Sequence, residues 1–286
     1  MPTKMFDIHP HIISPDTQRY PASPLGGKRS AWSIERPVTF EQLVAAMDEA
    51  GVAKAAIVHS STVYGFNNDY VADVIADHAG RFTGVFSVDV LAEDAPAKIR
   101  YWVSRKLTGL RIYSGGSNIT MDTRLDDPRS FPAWECAQDL GITVCVSLFP
   151  AKLPELLVMI RRYPNVRVVI DGLLKPPIEE GPPYRGSEYV FDLARYPNVF
   201  LKLSTNNVRT SRRGNATPES FFARLVAELG ASRIAWCSNF PASKGTLMQM
   251  VSEAKEALAA LSAADQEWIF HRTAETLYPA LCDSQE

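Results

Sequence analysis

Eight apolar, β-branched runs recur along this chain, each followed by a stretch of helical spacing, and that alternation constrains the fold more than any single residue does. The strand candidates are 5–9, 53–59, 82–88, 108–113, 142–148, 166–171, 198–204 and 232–237. Amphipathic segments follow them at 39–50, 67–79, 94–106, 129–140, 152–163, 187–196, 217–229 and 244–260, with a closing helix at 263–278. Thr39 and Gln42 have the spacing of a capping box, and Gly51 ends that first helix. Strands alternating with helices favour one parallel sheet, because parallel connections must cross its face. Eight such units predict an α/β fold, a (β/α)8 TIM barrel built as a single domain over residues 1–286, close to the size of about 250 residues usual for that architecture.

Charge narrows the function. With 30 Lys and Arg against 32 Asp and Glu, the formal net charge is -2. Nucleic-acid binding, which rests on excess cationic side chains, is not expected. No run approaches the ~18 apolar residues of a membrane span, and no charged-then-apolar leader opens the sequence. A cytoplasmic protein acting on a small molecule is therefore expected, with a homo-oligomer left open. Cys136, Cys145, Cys237 and Cys282 are widely spaced, form no Cys-x-x-Cys pair, and read as buried thiols.

In such a barrel the chemistry gathers at the carboxyl ends of the strands. His9 and His11 end the first run, and alternate strand residues face the same way, which suits two metal ligands or two proton carriers. His59, Ser60 and Ser61 end the second, Arg111 and Tyr113 the fourth, Ser147 the fifth and Asp171 the sixth. Lys202 and Ser204 close the seventh, Ser238 and Asn239 the eighth. Arg111 and Lys202 are each read either as partners of a buried carboxylate such as Asp171 or as groups that meet the substrate. Three long connections, 12–38, 172–186 and 205–216, follow strands and so overhang the same face. They bring Arg29, Arg209, Arg212 and Arg213, a set that could select an anion.

Several motifs occur in order: Asp7-Ile8-His9-Pro10-His11, Ser61-Thr62-Val63-Tyr64-Gly65-Phe66-Asn67-Asn68, Gly109-Leu110-Arg111, Val169-Ile170-Asp171, Lys202-Leu203-Ser204, Trp236-Cys237-Ser238-Asn239-Phe240-Pro241 and Thr273-Ala274-Glu275-Thr276-Leu277-Tyr278-Pro279. Together they resemble the amidohydrolase superfamily, in its amidohydrolase 2 branch of barrel hydrolases and decarboxylases, and within it the lactonases that open pyrone-dicarboxylate and muconolactone-type rings. Two positions depart from the pattern. Gly172 follows Asp171 where the branch carries His, and Asn239 stands where it carries the Asp that serves as metal ligand and general base. An amide cannot take up a proton near pH 7, so that role does not transfer.

The resemblance implies a hydrolase that opens a small, lactone-like and carboxylated ring without a metal, as the pyrone-type lactonases do. His9, His11 or His59 would activate water, Asn239 and Ser61 would donate to the oxyanion, Arg111, Arg209 and Arg212 would hold the acid, and Tyr64 and Tyr113 would enclose the ring. No cofactor is expected, a divalent ion such as zinc being the alternative. Rival readings are a metal-dependent decarboxylase or hydratase of the same superfamily, and an inactive binding protein on the same barrel.

Overall fold

The computed structural model describes residues 4–115 and 123–283. The strands form in the expected order: β1 (Phe6–Asp7), β2 (Lys54–Val58), β3 (Phe82–Ser87), β4 (Leu107–Ser114), β5 (Thr143–Leu148), β6 (Val168–Ile170), β7 (Val199–Ser204) and β8 (Ile234–Cys237). Each pairs in parallel with the next, so strand order in the sheet equals order in the chain. Phe40–Ala50 is the expected helix, with the Thr39–Gln42 capping box complete and Gly51 left-handed at φ 70°. The box pairs two of the N–H groups, those of Thr39 and Gln42, that a helix start otherwise leaves to solvent.

Side-chain period then divides each strand between two cores. Val58, Val85, Cys145, Val169, Phe200 and Ala235 face the lumen, while Ile57, Phe86, Val144, Val168, Leu201 and Ile234 face the surrounding helices. The closing helical segment, Thr273–Leu277 and the turn after it, plugs the amino end of the lumen with Leu277, Tyr278 and Leu281. Gly109 is the counterpart of that plug: a Cβ there would lie 2.9 Å from a Tyr278 ring carbon. The lumen is therefore packed from below, and a cavity opens at the carboxyl end.

The seam between β8 and β1 is closed by a side chain. Asp7 Oδ1 accepts from Ser238 N at 2.9 Å and from His9 N at 3.0 Å, and Oδ2 accepts from Ser238 Oγ. Burial, opposed by those hydrogen bonds, pushes the Asp7 carboxyl above its ordinary range. The bond to His9 N also bends the chain out of the sheet, so the first strand ends at Asp7 instead of running through residue 9. His9 and His11 thus converge through a turn and through His11 N donating to Phe240 O at 2.7 Å, not through strand alternation.

Other expectations shift locally. The loop 205–216 opens with a helix, Thr205–Thr210, and the loop 12–38 contains another at Ala31–Glu35. The helix expected at 187–196 divides into Glu188–Phe191 and a tighter turn, Asp192–Arg195. Cys136, Cys145 and Cys237 are buried thiols, whereas Cys282 is exposed. Among the described residues, no helix is long and apolar enough to cross a membrane.

Candidate active site

A cavity of about 450 Å³ opens at the carboxyl ends of the strands, lined by His9, His11, Arg111, Tyr113, Asp171 and Asn239 together with Ser60, Ser61, Ser147, Ser204, Asn206 and Asn207. Its volume falls in the range of about 300–1,000 Å³ usual for small-molecule sites. Trp32, from the short helix in the first loop, stacks on His11 with ring centroids 5.2 Å apart and closes one side.

The floor is ionic. Arg111 Nη2 donates to Asp171 Oδ2 at 2.7 Å, and Lys202 Nζ lies 3.2 Å from Asp171 Oδ1. Cys145 donates to that same Oδ1 at 3.1 Å while its sulfur accepts from Lys202 at 3.0 Å. Burial opposes the charge on Asp171, yet Lys202 and Arg111 hold its carboxyl well below the usual range. Burial likewise opposes the Lys202 ammonium, and Asp171 more than offsets it, so this fully buried lysine stays charged. Burial also pushes the Cys145 thiol up to about 11, keeping it neutral. Two buried cations therefore share one ionised carboxylate, and the other carboxylate nearby, Asp7, spends its oxygens on the seam.

The two cavity histidines differ. His11 Nδ1 bonds to Val58 O at 2.8 Å, and since a carbonyl only accepts, that nitrogen carries the proton. Neutral His11 then keeps a lone pair on Nε2. His9 Nδ1 lies 3.2 Å from Lys202 Nζ, while its Nε2 is sealed from water without a partner among the described residues. Burial, reinforced by Lys202, pulls His9 down to about 3, and burial with His9 and Arg111 pulls His11 well below its ordinary value. Both imidazoles are neutral near pH 7.

Not every residue expected at the site reaches it. His59 follows Val58, which faces the lumen, so the period of two turns it outward; its Nε2 donates to Gly65 O at 2.9 Å, and it does not line the cavity. Tyr64 also lies outside, its hydroxyl accepting from Ser14 N at 2.8 Å. Arg209 pairs with Glu253 at 2.8 Å and Arg212 with Glu256 at 3.4 Å on the neighbouring helix Leu247–Ala257, so neither enters the cavity wall. Arg29 instead donates to Ser33 O at 2.7 Å. Ser61 does line the cavity, but its hydroxyl proton goes to Ser87 Oγ at 3.1 Å. Tyr113 carries the Arg111 guanidinium over its ring, 4.5 Å from the centroid. Asn239 sits left-handed at φ 55°, its Nδ2 donating to Ser243 Oγ at 3.2 Å.

A match to the amidohydrolase family model extends over residues 6–280. The chain belongs to that family. An L-fucono-1,5-lactonase from Burkholderia ambifaria is 32% identical over 212 residues, which is 73% of this chain and 70% of that one. A Pseudomonas putida protein assigned as a 2-pyrone-4,6-dicarboxylic acid hydrolase has the same fold, with a TM-score of 0.78 at 18% identity over 99% of this chain and 100% of its own. So does an amidohydrolase of Burkholderia multivorans solved with zinc, at TM-score 0.74 and 19% identity over 96% and 99% of the two chains. This amidohydrolase is a hydrolase on the barrel anticipated from its alternating runs.

Zinc in a relative makes the donor set worth testing here. A metal at the first-strand pair would need a lone pair on His9, but Nδ1 faces an ammonium and freeing Nε2 would turn an N–H toward that same cation. Asn239 supplies an amide instead of a carboxylate, and no group of three or more His, Cys, Asp or Glu suited to a metal occurs among the described residues. The residues present do not fit a divalent ion.

Two functional features escaped the sequence reading. Asn207 accepts from Ser204 N at 2.9 Å and Oγ at 2.7 Å and donates to Gly172 O at 3.0 Å, tying β7 to the turn after β6. The Ser204-x-x-Asn207 spacing of a cap was the available signal. The second is the turn itself: Gly172, Leu173, Leu174 and Lys175 are all left-handed, with φ of 56°, 54°, 60° and 50°. Left-handed backbone costs about 1–2 kcal/mol for each non-glycine residue. Burial of Leu173 and Leu174 offsets it. A histidine at position 172 would add to that strain, which gives a physical reason for glycine there.

Proposed function

We propose that this amidohydrolase opens the ring of a small, hydroxylated lactone by direct attack of water, without a metal ion. The observation that carries the reading is the floor, where Arg111 and Lys202 share Asp171 as their one carboxylate partner among the described residues. An unmatched buried cation costs several kcal/mol unless negative charge reaches it, and the addition of water to a lactone carbonyl creates that charge. The ground-state carbonyl is neutral, so the attraction grows toward the transition state.

His11 is the base in this scheme. Its Nδ1–H is fixed by Val58 O, and its Nε2 accepts a proton from water as the new C–O bond forms. Collapse of the adduct breaks the ring C–O bond, and the ring oxygen leaves as a hydroxyl after taking up that proton. The product is a hydroxy acid. Hydroxyls and amides of Ser147, Ser204, Asn206, Asn207 and Asn239 line the walls and match ring hydroxyls. The lactone acted on by the Burkholderia ambifaria relative is of that kind. Of the three arginines expected to hold an acid group, Arg209 and Arg212 are paired outside the cavity and Arg111, which does line it, is bound to Asp171, which favours an uncharged ring. The decarboxylase and hydratase alternatives need a metal that this donor set does not suit.

Purified, metal-stripped protein tested on aldono-1,5-lactones and on 2-pyrone-4,6-dicarboxylate decides the matter. Turnover of the neutral lactones is expected. Turnover of the carboxylated ring alone would restore anion selection, and activity that appears only with added metal would overturn the reading.

A further inference from the structure

Lys202 sits where three acceptors converge. Its ammonium has three protons, and it meets His9 Nδ1 at 3.2 Å, Asp171 Oδ1 at 3.2 Å and Cys145 Sγ at 3.0 Å. Imidazole nitrogen, carboxylate oxygen and thiol sulfur are the donor types that hold zinc in other proteins. Here a lysine head group, fully buried, fills the space between them.

The hydrogen-bond account closes in one way. An ammonium only donates, so His9 Nδ1 must accept, and the single proton of neutral His9 then resides on Nε2. The other tautomer would point Nδ1–H at Asp171 Oδ1, but that atom is 3.5 Å away and already accepts from Lys202 and Cys145. It would also set an N–H against the Lys202 ammonium. Nε2 is the ring atom that finds no partner among the described residues, buried on a residue that lines the cavity.

We propose that Lys202 takes the place of a metal ion in this barrel: it binds His9 Nδ1, Asp171 and Cys145 as a cation would, and thereby locks His9 in the Nε2–H form. His9 is then neither a metal ligand nor a base, and Lys202 is a positioning residue that acts through it. The assignment deepens the metal-free reading above, and the tautomer itself does not rest on lactone opening.

Nitrogen-15 NMR of imidazole-labelled protein distinguishes the two. In the wild type, the His9 signals should be those of a neutral Nε2–H ring. In Lys202→Met, which keeps the length and removes the charge, His9 should switch to Nδ1–H facing Asp171. Stoichiometric zinc should leave the wild-type His9 signals in place. A wild-type Nδ1–H ring or imidazolium, an unchanged tautomer in Lys202→Met, or a zinc-induced shift would each overturn the proposal. Should the variant not fold, the wild-type spectrum and zinc titration decide alone. Correct tautomers without any lactone turnover would reject the function and leave the assignment standing.

Discussion

Lys202, sealed from water, and Arg111, largely buried at the base of the cavity, share Asp171 at the barrel floor, whereas Arg209 and Arg212 at the rim are partly or largely exposed, each with a glutamate of its own. The residue types are alike, and the surroundings make them different. At the rim, water screens each pair and leaves it worth at most about 1 kcal/mol. At the floor burial leaves little water to share the load, so removing one partner costs about 3–5 kcal/mol. The same contrast separates the histidines. His11 lines the cavity with a free ring nitrogen, and His59 spends its outward-facing ring on a loop carbonyl.

Asp171→Asn presses hardest on this contrast. It leaves two buried cations without a counter-charge, and denaturant unfolding should show a loss of about 3–5 kcal/mol, with turnover at background. Near-normal stability would show that the floor is not sealed as described. His11→Asn should keep the fold and lower kcat by about 10²–10⁴-fold, the usual contribution of a general base. If His59→Asn matched that loss under the same assay, the distinction between the two histidines would collapse.

Acid sensitivity sharpens the comparison further. Burial, opposed by its bond to Gly65 O, pulls folded His59 from its ordinary 6.5 to about 4. Between those values the unfolded chain binds the extra proton and the folded one does not, so stability rises with pH across that window and is lost as pH falls through it. His59→Gln should flatten the stability curve between pH 6.5 and about 4 by up to about 3 kcal/mol. The smallest effect belongs to the rim: Arg212→Ala should move stability by less than about 1 kcal/mol and leave kcat/KM for neutral lactones unchanged. A selective rise in KM would place Arg212 in substrate binding after all.

Read alone, the sequence determined the barrel, its strand order and most of its helices, because periods of two and 3.6 residues in apolar side chains are local properties. It also placed His9, His11, Arg111, Tyr113, Asp171 and Asn239 at strand ends that line the cavity, and the pairing of Asp171 with Arg111 and Lys202 could be anticipated from the need of a buried charge for a partner. His59 was within reach of the same logic, since its parity follows from Val58. Only the tertiary structure decided the rest. The Asp7 carboxylate bends the chain so that His9 and His11 converge, helix Leu247–Ala257 draws Arg209 and Arg212 away, and Lys202 sets which nitrogen of His9 holds the proton. Apart from the Asp7–His9 bond, these outcomes hang on contacts between residues tens to hundreds of positions apart, and proton placement and charge pairing depend on distances of a few ångströms that no local pattern encodes.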